Sequence, residues 1–180
     1  MSREKVLLHI CCAPDATTAI KRLGLKYEVI GCFDNSNIFP YSEYKKRLRA
    51  AEKLCNIWKI KLIVPEYDYS SWKSQMKGLE DLPEKQARCR KCIFMNLKSV
   101  AWIARENDIE NFTSSLSTSP KKDVLWISRS GNEASKLTGI KYVDEIFRKK
   151  NGYLSSIFYT RLLELYRQGY CGCEYSIGNC

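Results

Sequence analysis

A short apolar run at positions 5–10, KVLLHI, ends on two adjacent cysteines and is followed at once by Pro14 and Asp15. A run of that length suits a strand buried on both faces, which in practice means a parallel strand covered by helices. Pro14 and Asp15 are residues that open helices, so a helix to about Leu23 is expected directly after the strand. The rest of the chain repeats this alternation. Strands are expected at 27–33, 61–64 and 111–116. Ser42 is expected to cap a helix ending near Trp58, whose Leu48, Ala51, Leu54, Cys55 and Trp58 recur at helical spacing. Further helices are expected over 69–77, after Cys89 and Cys92, from near Pro120, and over 155–168 with Phe158, Leu162, Leu165 and Tyr166 on one face. Strands alternating with helices predict an α/β layer fold with a mostly parallel sheet and a Cys-rich helical C-terminal part. The 180 residues suit a single domain spanning 1–180. Ligands of such sheets gather beyond the carboxyl ends of the strands, where Cys11 and Cys12 fall.

Cysteine usage narrows the chemistry. The chain has nine cysteines and one histidine. An odd count leaves a thiol over in any complete disulfide framework. The start MSREKVLLHICCAPDATT lacks a cleavage site, and no apolar run approaches the ~18 residues of a membrane span, so a reducing cytoplasmic setting is expected. Six cysteines form three tight groups: Cys11–Cys12, Cys89-Arg-Lys-Cys92 and Cys171-Gly-Cys173. Cys32, Cys55 and Cys180 stand alone, and the first two suit burial as small hydrophobes. Thiolates paired at short spacing suit soft metals and iron–sulfur clusters. A closed Cys₄ zinc site is the alternative; it would leave two grouped thiols unused. Glycine-rich phosphate loops are missing after the first strand, so nucleotide binding of those kinds is excluded. His9, mid-strand, reads as a core residue.

Lys and Arg number 30 against 20 Asp and Glu, a net charge of +10, which suits a polyanionic partner. Lys45, Lys46, Arg47, Arg49, Lys121, Lys122, Arg129, Arg148, Lys149 and Lys150 are candidate phosphate contacts. Tyr41, Tyr44, Trp126 and Tyr153 are interleaved with them and could stack on unpaired bases.

The motifs LLHICCAPD, CFDNSNIFPYSEYKKR, CRKC, TSSLSTSPKK and LYRQGYCGCEYS occur in this order along nearly the whole chain. Together they resemble the cobalamin-independent epoxyqueuosine reductases of the QueH type. The resemblance implies a Rossmann-like three-layer fold, a [4Fe–4S] cluster and an adjacent mononuclear iron. It also implies deoxygenation of epoxyqueuosine to queuosine at the wobble position of a tRNA anticodon stem-loop, with electrons from an unidentified donor. Matching the motifs assigns Cys11, Cys12, Cys89 and Cys92 to the cluster. Arg88, Arg90 and Lys91, together with a helix N-terminus, would favour the anionic cluster there. Cys171, Cys173 and Asp15 are assigned to the second iron, where an open position would suit polarising the epoxide oxygen. Family members commonly read CCAPC where this chain has Asp15, a harder, charged ligand in place of sulfur. The competing readings are a zinc-stabilised RNA-binding module without catalysis and a metal-free thiol oxidoreductase using Cys171 and Cys173.

Overall fold

The structure, a computed structural model, describes residues 3–177. Cys180 therefore lies outside the described residues. The chain runs β1 (Lys5–His9), α1 (Ala13–Leu23), β2 (Glu28–Cys32), α2 (Tyr41–Trp58), β3 (Leu62–Ile63), α3 (Tyr69–Gln75), α4 (Ala87–Glu106) and β4 (Asn111–Ser114). A 3₁₀ turn at Ser115–Thr118 leads to α5 (Val124–Thr138), β5 (Lys141–Tyr142), α6 (Gly152–Leu162) and a last 3₁₀ turn at Glu174–Ser176. The five strands form one sheet in the order β3-β2-β1-β4-β5, and every pairing is parallel.

Alternation along β1 shows why this strand is central. Val6, Leu8 and Ile10 enter the core shared with α1 and α2, while Leu7 enters the core shared with α4 and α5. None of the four retains exposed surface. The sheet is thus covered on both faces, as a continuous apolar run requires. Leu7 sits opposite Ile30 on one side and Phe112 on the other, so β1 is flanked by β2 and β4. The chain leaves β1 for β2 through α1 and reaches β5, on the far side, through α5. Between β1 and β4 the connections diverge, and a crevice opens there at the carboxyl ends.

Several expectations are revised by the packing. Helix α2 begins at Tyr41 with Pro40 at the capping position, so Ser42 lies inside it and caps nothing. Helix α5 starts at Val124, where the Asp123 carboxylate accepts from the N–H groups of Leu125 and Trp126. The edge strand β5 carries no sequence signal of its own. Helix α6 spans Gly152–Leu162 and buries Gly152, Ser156 and Thr160; Phe158 and Leu162 face outward. This close-packed face meets α1, with Thr18 Oγ1 donating to Gly152 O at 2.8 Å. A Cβ at Gly152 would fall 1.7 Å from Phe147 O, so only glycine fits there. Cys171 and Cys173 lie beyond α6, in the loop leading to the last 3₁₀ turn. Among the described residues no helix is long and apolar enough to cross a membrane.

Candidate metal centre

The crevice is the mouth of a cavity of about 230 Å³, and all three cysteine groups meet at it. Cys11 ends the loop after β1 and Cys12 occupies the N-cap position of α1, with Asp15 in that helix's first turn. The Cys11 and Cys12 sulfurs are 3.9 Å apart, and Cys11 Sγ is 4.0 Å from Asp15 Oδ2. One ligand atom from each of Cys11, Cys12 and Asp15 lies within 4.8 Å of the others. Ser115, just past β4, fixes this wall: its Oγ accepts from Cys11 N at 3.1 Å and donates to Cys11 Sγ at 3.3 Å.

The opposite wall combines α4 with the segment after α6. Cys89 and Cys92 lie in the first two turns of α4, so the positive ends of both α1 and α4 point at the thiols. Cys171 and Cys173 arrive from far along the chain, held by Arg47. This guanidinium, 2% exposed, donates to Cys171 O at 2.9 Å and to Tyr170 O at 3.1 Å while its Nε pairs with Glu43 at 2.8 Å. Phe39 N donates to Gly172 O at 2.8 Å. Lys122 Nζ lies 2.7 Å from Cys171 Sγ. Arg148 steadies the Lys122 loop by donating to Ser119 O and Lys122 O at 3.0 and 2.8 Å.

Crowding decides the protonation of these groups. Cys12 is held well above the usual thiol range by its hydrogen bond with Cys11, then by burial and Asp15. Burial pushes Cys92 up to about 12, and the neighbouring Cys171 sulfur adds to the shift. Cys173 is raised by burial too. Asp15 is pushed up to about 6 by burial, against the pull of Arg167 and Lys122. Burial works against the charge of Lys122, but the sulfur of Cys171 outweighs it and keeps the ammonium protonated. Six sulfurs and a carboxylate around one cavity cannot all ionise without added positive charge. A soft metal or an iron–sulfur cluster supplies it, so the donor set fits such a group. Trp72 agrees: its indole N–H is buried beside Cys92 without a hydrogen bond of ordinary geometry, a donor suited to a metal-bound sulfur.

The structure thus gathers every sequence-predicted site residue: Cys11, Asp15, Cys89, Cys92, Cys171 and Cys173 line the cavity, with Cys12 against Cys11. It removes Arg47, Lys122 and Arg148 from the set of outward phosphate contacts, since all three turn inward to hold site loops. Trp72 carried no signal in the sequence, since no spacing or charge pattern marks it, and Ser115 was marked only by its place in the motif TSSLSTSPKK. His9 is a core residue: Nε2 donates to Asp34 O at 3.1 Å, and Nδ1 accepts from Ser114 Oγ at 2.9 Å. Burial holds its pKa below the ordinary value.

Fold and side chains together define a Rossmann-like α/β protein with a thiol-rich metal-type centre at the sheet's switch point. A family model described as epoxyqueuosine reductase QueH matches residues 6–179. The chain belongs to this family of oxidoreductases. It is 35% identical over 175 residues to the epoxyqueuosine reductase QueH of Thermotoga maritima, covering 96% of this chain and 90% of that one. The Histophilus somni protein of the same name is 37% identical over 182 residues, covering 97% and 72%. Among solved structures, the U34-tRNA thiolase NcsA from Methanococcus maripaludis, with its [4Fe–4S] cluster, matches with a TM-score of 0.60 at 15% identity. That match covers 98% of this chain and 62% of the thiolase, and it bears on the fold alone.

Proposed function

We infer that this chain, acting as one cytoplasmic domain, reduces epoxyqueuosine to queuosine at the wobble position of a tRNA anticodon stem-loop. The epoxide carbons become a cyclopentene, two electrons and two protons are consumed, and the oxygen leaves as water. The observation that carries the reading is the convergence of Cys11, Cys12, Asp15, Cys89, Cys92, Cys171 and Cys173 on one cavity in a member of this family.

The close grouping of Cys11, Cys12 and Asp15 supports a division of ligands other than the motif-based one. Cys11, Cys12 and Asp15 are the compact triad, suited to a single iron with an open position. Cys89, Cys92, Cys171 and Cys173, which line the same cavity, are then left as the four thiolates of a [4Fe–4S] cluster. When bound, the cluster would deliver electrons singly and the iron would act as a Lewis acid on oxygen. The remaining work falls to the chain's own residues. The helix ends and Lys122 would offset part of the negative charge that the sulfurs carry once a metal group is bound. Arg47 fixes the loop bearing Cys171 and Cys173. Electrons arrive from a separate donor.

Anaerobic incubation with epoxyqueuosine-containing tRNA and a strong reductant, followed by mass spectrometry of the nucleosides, tests the activity: loss of one oxygen is expected. Protein carrying one zinc and no acid-labile sulfide, with no oxygen lost, would sink it. For the ligand division, Cys171→Ser is expected to abolish the cluster absorption and Cys11→Ser to leave it in place. The reverse outcome restores the motif-based assignment.

A further inference from the structure

Four cations, Lys85, Arg90, Lys121 and Arg167, stand exposed at the cavity mouth. None of them makes an ion pair among the described residues. Two of the four rest on aromatic rings that line the same mouth. The Arg90 guanidinium lies 3.8 Å from the Trp126 ring centroid, and Arg129 approaches the same ring at 5.0 Å. Arg167 lies 5.8 Å from the Tyr153 ring centroid and donates to its hydroxyl at 3.1 Å. The pairs belong to opposite layers of the sandwich. Arg90 and Trp126 come from α4 and α5, whereas Tyr153 opens α6, which packs on α1. They therefore flank the crevice from its two sides.

The geometry points to a collar for single-stranded RNA, in which Arg90–Trp126 and Arg167–Tyr153 grip the nucleotides on either side of the one entering the cavity. The inference rests on the tRNA reading above and names the residues that would deliver the anticodon loop. A guanidinium resting on a ring gives up less freedom on binding, and its planar fork both stacks on bases and bonds phosphates. An acidic peptide would answer the charge but offers no π-face to these two platforms. A duplex keeps its bases stacked inside, whereas an unpaired anticodon loop can splay them outward.

The test is fluorescence anisotropy of reconstituted holoenzyme with an unmodified anticodon stem-loop RNA, across a series of salt concentrations. Arg90→Gln and Arg167→Gln are each expected to weaken binding about tenfold and to lower the slope of log K against log salt by about 0.7. Arg90→Lys should keep the slope while losing the stacking part of the affinity. Trp126→Leu and Tyr153→Leu should weaken binding with the slope unchanged, and Lys98→Gln, on α4 away from the mouth, should change neither. Circular dichroism and cluster absorption establish that each variant is folded and loaded. Affinities within about twofold of the parent for both arginine variants would overturn the collar. So would equal affinity for a fully paired RNA of the same length. Because the probe carries no epoxide, failure of deoxygenation and failure of the collar are read separately.

Discussion

The two walls of the centre are built by different means. The wall of Cys11, Cys12 and Asp15 comes from five consecutive positions, and a strand end followed by a helix start places all three ligands. The wall of Cys89, Cys92, Cys171 and Cys173 is gathered from remote segments and held by arginines that donate to backbone carbonyls. Arg47 holds Tyr170 O and Cys171 O; Arg88 holds Glu80 O and Leu82 O, both at 2.6 Å; Arg148 holds Ser119 O and Lys122 O. The first wall is as stable as the sheet, whereas the second is as stable as its buried cations are well paired. The difference teaches that binding residues can be inherited from secondary structure or assembled by side-chain hydrogen bonds, and the two respond differently to mutation.

The sharpest way to break the contrast is Arg47→Met. It strands Glu43, 6% exposed, without its cation, leaving only the Tyr166 hydroxyl at 2.8 Å. A loss of about 3–5 kcal/mol is expected in chemical denaturation. Acid-labile sulfide should fall while iron bound at the first wall persists. The double variant Glu43→Gln/Arg47→Met should recover part of the stability but not the sulfide. Gly172→Ala comes next. Gly172 has φ +137°, and a Cβ there would sit 3.1 Å from Arg47 Nη1. A cost of about 1–3 kcal/mol, confined to the second wall, is expected from the thermal transition and the sulfide content.

The first wall offers a pH test. His9 has a lowered pKa in the folded chain, chiefly through burial, so the unfolded chain takes up a proton first as pH falls below the ordinary value of 6.5. Stability from this group is complete above that value and is lost as pH falls below it, with a slope of at most about 1.4 kcal/mol per pH unit. Asp15, raised to about 6, acts in the opposite sense over the same range in both proteins. The His9 contribution is therefore the difference in slope between the parent and His9→Gln in denaturation at several pH values. Equal slopes in the two proteins would place the titration elsewhere. The smallest effect is Ser115→Ala, which removes the acceptor for Cys11 N. About 1 kcal/mol is expected, with the spectrum of iron at the first wall altered and the cluster absorption unmoved. If Ser115→Ala instead lowered sulfide as much as Gly172→Ala, the two walls would be one cooperative unit.

The sequence was most legible where periodicity or spacing carries the information. The run at 5–10, the residues Pro14 and Asp15, and the stripe through Leu54 and Trp58 lead directly to β1, α1 and α2. Cysteine spacing pointed to the three thiol groups that meet at the cavity. What spacing could not convey is which thiols face one another, because that depends on the crossover of β4 beside β1. Nor could charge tell Arg47 and Lys122, turned inward, from Lys45 and Arg49, left exposed by the same stretch of chain. Helix α6 defeated the apolar periodicity for a physical reason. Its buried face is Gly152, Ser156 and Thr160, where close backbone approach to α1 replaces large side chains, and so the large side chains of Phe158 and Leu162 point outward.

The parallel register of β1 with β4 has a kinetic consequence. His9 and Ser114 hydrogen-bond across 105 residues of sequence, so the crevice closes only after a long loop has been ordered, the kind of contact that slows folding. Until then the chain offers only isolated thiol pairs, each a poor chelate on its own. Ligand capture is therefore coupled to the completion of the sheet, and the free energy of metal binding is added to that of the whole topology rather than to a local motif.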